Sequence, residues 1–236
     1  MKGPYMQRLI LSDVTAITGV NTEALKSQRR RGQCAFAFGS TDASARCRYV
    51  PADVVAVMLT KDLAQVYGVK HAARLVIMFG DVVLRAIALS KADTTTGVMI
   101  SVADVARDDR RGHLAFLTGT LGADVGANVR NADVADAYIV ERVVSVNVTR
   151  AIRMIRASAS AEHIDLSGAF MPVPGSVEFD EIMSPFGELS GAIVETSAFR
   201  KRESAMRKAG ERARLIAMGG RVAAGGHKQP LQAQAA

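Results

Sequence analysis

The residues best equipped for chemistry in this chain are cations packed into one short stretch. Lys26, Arg29, Arg30 and Arg31 fall within six positions with Gln28 among them, and Arg46 and Arg48 follow shortly after. A guanidinium presents a planar fork that matches the two acceptors of guanine in the major groove, and a Gln amide matches adenine in the same way. Any Lys or Arg can also neutralise a phosphate. On a helix Thr22, Lys26, Arg29 and Arg30 share one face, spaced by three and four residues, whereas Arg31 lies off it and suits a backbone contact. If about six such groups touched phosphate, binding would fall steeply with salt, with a log–log slope of about −5. The plainer use of the same residues is the solvated face of a helical hairpin.

The elements that would position these cations can be read from Leu11 to Gly32. Val14 and Ile17 lie on one side of a short first helix, Gly19 breaks it, and Val20 drops into the turn. Asn21 or Thr22 caps a second helix that Leu25 anchors to a core, so that its basic face turns outward. Gln33–Phe38 alternates like a strand, Gly39–Ala45 is a polar turn, and Arg46–Tyr49 can return antiparallel. Such a basic hairpin is a wing that lays Arg46 and Arg48 over a phosphate backbone. Pro51 suits the first turn of a third helix reaching Tyr67, with Val54, Val55, Met58, Leu59 and Leu63 on its buried side.

Taken together, Asp13-Val14, Gly19-Val20, Thr22, Leu25, Arg30, Gly32 and the spacing from Tyr49 to Asp53-Val54 resemble the winged-helix domain of MerR-type regulators. The resemblance spans residues from Leu9 to about Val83. It implies DNA binding as a homodimer, with the second helix in the major groove and the wing on flanking backbone. The expected contact set is Thr22, Lys26, Gln28, Arg29, Arg30, Arg31, Arg46, Arg48 and Tyr49.

Charge is unevenly spread around the net of +7. Residues 1–50 carry a net of +5 and residues 199–236 a net of +7, around a centre of −5. Basic ends on an acidic body suit two polyanion-facing segments, or a C-terminal helix whose charge only solubilises it. A hydrophobic content of 49% excludes wholesale disorder. No apolar run approaches the ~20 residues of a membrane span, and the start MKGPYMQRL lacks the apolar core of a secretory signal. The chain is therefore expected in the cytoplasm, at the nucleoid. Cys34 and Cys47 fit a reducing compartment.

Further along, the pattern predicts a fourth helix from about Lys70 to Ser90, striped by Leu75, Phe79, Val82, Val83, Ala86 and Ile87. Lys91–Gly97 is the best domain boundary. Val98–Val102, Leu114–Thr118 and Tyr138–Val146 read as strands, and Asn147 or Thr149 can cap a helix to about Ser160. Ile164–Pro185 reads as an irregular connector. The expected fold class is α+β. A winged helix-turn-helix domain covers 1–92 and a small α+β domain for dimerisation or effector binding covers 93–186. A long basic helix follows over 187–218, then a disordered tail over 219–236.

Other chemistry has little sequence support. His71, His113, His163 and His227 are scattered without metal spacing, and the two cysteines lack further ligands nearby. Gly119, Gly122 and Gly126 lack the lysine and hydroxyl of a phosphate loop. Asp104, Asp108 and Asp109 beside Arg107, Arg110 and Arg111 read most simply as a solvated loop. No nucleophile elbow is present. No cofactor and no metal are implied. The expected function is sequence-specific binding of double-stranded DNA, as a transcriptional regulator and not as an enzyme. The rivals are a mobile-element or phage factor (excisionase-like, architectural, or a packaging small subunit) and an enzyme recruited to DNA by the winged helix. The region over 93–186 would then dimerise, sense a ligand or contact another protein.

Overall fold

The structure, a computed structural model, describes residues 9–31, 49–90, 97–107, 110–118, 139–166, 168–172, 175–177, 179–180 and 194–195. It opens with α1 (Leu11–Thr18) and α2 (Thr22–Arg30). Asp13 reaches back to accept from the Ile10 N–H at 2.8 Å, which satisfies one of the donors that every helix start leaves open. Gly19 ends α1 in the left-handed region, at φ 63° and ψ 15°, and its N–H donates to the Thr15 carbonyl at 2.9 Å. Glycine has no Cβ to clash there. Lys61 adds a donor from outside, 3.2 Å from the Thr18 carbonyl oxygen. Of the two capping candidates for α2, Asn21 takes the role: its Oδ1 accepts from the N–H groups of Glu23 at 2.8 Å and Ala24 at 3.3 Å.

Tyr49 returns beside Leu9, each donating its N–H to the other's carbonyl at 2.9 Å. α3 (Pro51–Tyr67) starts at once. Pro51 loses nothing by lacking an N–H in the first turn, and Asp53 repeats the role of Asp13 by accepting from the Val50 N–H at 2.9 Å. Gly68, at φ 72°, turns the chain directly into α4 (Val69–Met78). α5 (Gly80–Leu89) follows. The single helix expected over Lys70–Ser90 is therefore two. Phe79 leaves the helical region at φ −104° and ψ 34° while its ring is driven into the core, and Gly80 does little to hold a helix together.

Four antiparallel strands form one sheet in the order β3-β1-β2-β4. They are β1 (Met99–Arg107), β2 (Arg110–Thr118), β3 (Ile139–Asn147) and the short β4 (Val194–Glu195). Successive side chains alternate between faces. Ile100, Val102, Ala115 and Val146 face the helices, while Ala103, Val105 and Leu114 gather with Val140 and Val143 on the other side. α6 (Val148–Ala161) leaves β3 without a linker, capped by Asn147, whose Oδ1 accepts from the Arg150 N–H at 2.8 Å.

The class is α+β, with helices on one face of a small antiparallel sheet. α6 packs on both α1 and α3. One apolar cluster accordingly runs from Leu9 through Leu25, Leu59 and Ile152 to Phe179. The gap among Leu59, Leu63, Leu75, Phe79, Ile100 and Val146 has apolar walls only, so it offers no polar group to orient a ligand. No helix among the described residues is long and apolar enough to cross a membrane.

Two expectations change at particular positions. Of the charged run expected as a solvated loop, Asp104 and Arg107 lie in β1 and Arg110 and Arg111 in β2, while Asp108 and Asp109 lie outside the described residues. Val194 and Glu195 fall within the long helix expected over 187–218, but they pair instead with His113 and Gly112 on the edge of β2. An edge strand offers unpaired backbone groups, and a β-branched residue suits them. The rest of the expected basic helix, the disordered tail, the wing over Gln33–Arg48 and the glycine-rich 119–128 lie outside the described residues.

Candidate nucleic-acid interface

The cationic face of α2 is set by a single anchor. Leu25 is 0% exposed, and with Val14 and Ile17 of α1 it belongs to the main core. Burying a leucine contributes ~1.5–3 kcal/mol, enough to fix which side of a nine-residue helix turns inward. Lys26, Arg30 and Arg31 are exposed, while Thr22 and Gln28 lie half-buried at the margins. Arg31 closes the last turn by donating its backbone N–H to the Ser27 carbonyl at 3.1 Å. The side chain of Arg29, and Arg46 and Arg48 entirely, fall outside the described residues.

One anion stands on the same helix. Glu23 pairs with Lys26 at 2.7 Å, with side-chain exposures of 71% and 48%. The hydrogen bond from Lys26, then its charge and that of Arg30, hold the Glu23 carboxyl below its ordinary value. An exposed pair of this kind is readily exchanged for a phosphate contact.

Tyr49 leaves the expected contact set. Its side chain is 1% exposed, in the core behind the Leu9 bridge. A ring so covered packs and does not touch a duplex. Its place at the end of the expected wing put it in the contact set, whereas the side chain lies in the core.

A second constellation was not anticipated. Where α3 and α4 rest on the sheet, Asp104 sits 9% exposed with three partners. Its Oδ1 accepts from the Tyr67 hydroxyl at 3.1 Å and lies 2.9 Å from His113 Nδ1. Its Oδ2 accepts from Arg142 Nε at 2.7 Å, with Nη2 of the same guanidinium at 2.6 Å. The sheet register explains the convergence, because His113 and Arg142 are the cross-strand neighbours of Asp104 on β2 and β3. A bulge follows immediately, since Val105 pairs with Val140 and skips Glu141.

Rings complete the cluster. The Arg142 guanidinium lies 4.8 Å from the Tyr67 ring centre, a cation–π contact. His71 stands 5.5 Å from Tyr67 and meets His113 edge-on at 5.0 Å. Burial first, then the Asp104 charge, raises the Tyr67 phenol and keeps it a donor. Burial, reinforced by His113, holds His71 below its ordinary value. The hydrogen bond to Asp104 raises Arg142. Among the described residues no three of His, Cys, Asp and Glu are placed to hold a metal ion.

One signal in the sequence could have pointed to this cluster: Asp104 continues the Ile100, Val102 alternation onto the face of the helices. No family model matches the sequence, and no curated protein matches it significantly.

Proposed function

We propose that this chain binds double-stranded DNA sequence-specifically, as a transcriptional regulator, through a helix-turn-helix formed by α1 and α2 and a wing supplied by residues 33–49. The observation that carries this is the seating of α2. A left-handed glycine turn and the buried Leu25 direct Lys26, Arg30 and Arg31 outward together. That arrangement suits major-groove entry, with Arg30 reading a base edge and Arg31 gripping backbone. In a dimer of MerR type, two such helices would address two half-sites about one helical turn apart.

The test is selection of bound duplexes from a random library, followed by anisotropy titrations against selected and scrambled DNA over a range of salt. A recurrent selected sequence and a log–log salt slope between about −3, for the α2 cations alone, and about −5, with the wing, are expected. Arg30→Ala should weaken binding to the selected sequence by ~1–3 kcal/mol and leave scrambled DNA less affected. Equal weakening on every duplex would mark Arg30 as a backbone contact. No enrichment and no salt-dependent binding would refute the proposal.

A further inference from the structure

The cluster around Asp104 draws one side chain from each of five elements: Tyr67 from α3, His71 from α4, Asp104 from β1, His113 from β2 and Arg142 from β3. It is where the helical layer and the sheet meet through polar groups. Only one member is an anion. The groups that face His71 are the Tyr67 phenol, Arg74 on its own helix, Asp104, His113 and Arg142. Farther along the sheet Arg111 and Glu141 pair at 3.5 Å, both open to solvent. A proton on His71 therefore adds a cation beside two arginines and another imidazole, with Asp104 already bound by Arg142 at 2.6 Å.

We propose that the edge-on contact between His71 and His113 is an acid-operated latch, which reinforces the apolar seat of α4 while His71 is neutral and loosens it when His71 takes up a proton. His71 is half-buried and reachable by solvent, so no large opening is needed for the proton to arrive. Burial holds the ring below its ordinary 6.5, and the neighbouring His113 acts in the same direction. The unfolded chain then binds the proton first. The contribution of the latch is complete above pH 6.5 and is lost as pH falls from there through the folded value. α4 follows α3 across Gly68 alone, so loosening α4 reaches the helix on which α1 packs. The latch is independent of whether the chain binds DNA.

The full chain is unfolded in urea at about pH 7.5 and about pH 5.5, a span that brackets histidine titration. The wild-type midpoint is expected to fall on acidification. His71→Gln, which keeps a polar side chain but cannot titrate, loses most of that fall. His71→Lys, which carries the charge permanently, is expected to lower the midpoint already at about pH 7.5. Equal falls in wild type and His71→Gln, or an unmoved His71→Lys, would overturn the latch. Hydrogen exchange at the acidic pH supplies the local readout: protection corrected for intrinsic rate should be lost in residues 69–78 before residues 148–161. Uniform loss would overturn a local release.

Discussion

Replacing Asp104 by Asn removes the one anion on which three strands and one helix converge, and its cost can be worked out from the geometry. The amide keeps one acceptor oxygen and presents an NH2 group where the other oxygen stood. It therefore faces either the Tyr67 hydroxyl and His113 Nδ1 or the Arg142 guanidinium with a donor. A hydrogen bond to a charged group is worth ~1.5–3 kcal/mol, and a buried donor left without an acceptor costs ~1–3 kcal/mol. The guanidinium is 50% exposed and can turn to water, which cuts its share to that of a surface ion pair, ~0–1 kcal/mol. The unmet donor and the reduced guanidinium share sum to a loss of ~1–4 kcal/mol, large against the ~5–15 kcal/mol of a typical domain. Urea unfolding of wild type, Asp104→Asn, Arg142→Gln and the double variant measures it. The two single losses should not add, because they remove one shared contact. A loss under about 1 kcal/mol for Asp104→Asn, or strict additivity, would refute the view that this carboxylate ties the layers together.

Two further outcomes concern the placement of α2. Asn21→Ala leaves the N–H groups of Glu23 and Ala24 without their cap, and should cost ~0.5–2 kcal/mol in thermal unfolding; a smaller loss would mean that water replaces the cap fully. Gly19→Ala puts a Cβ into a left-handed position at about 1–2 kcal/mol. The new methyl meets nothing nearer than Lys61 Nζ at 4.0 Å, so a loss well above that range would point to a clash the geometry does not contain.

Much of the fold was legible because its punctuation is local. Pro51 and Gly68 bracket α3 through their own backbone restrictions, the β-branched run announces β3, and Asn147 caps α6. The misreadings have one cause, the dominance of a tertiary environment over a local signal. Phe79 fits the apolar stripe of a longer helix, and only its burial shows why the helix breaks there. Asp104 sits beside charged neighbours that suggest a loop, yet two of its three partners come from 37 and 38 residues away and leave no trace in a local window. The face of α2 was legible for a similar reason: Leu25 is the apolar residue that turns inward at its centre, and the outward set follows from helical spacing. The polar cluster was not, because no spacing in the sequence joins Tyr67 to Arg142.

The mutual bonding of Leu9 and Tyr49 has a consequence for how this chain can vary. A doubly bonded antiparallel pair holds its Cα atoms ~5.5 Å apart, so everything between them departs from and comes back to nearly the same spot. The intervening stretch is topologically a detour, yet Val14, Ile17 and Leu25 tie it into the shared interior, and deleting it would strip cover from α3. Mutation is thus steered outward. The outward side of α2 is free to diverge or be grafted from another protein, while the clasp and three apolar pegs keep any replacement in register.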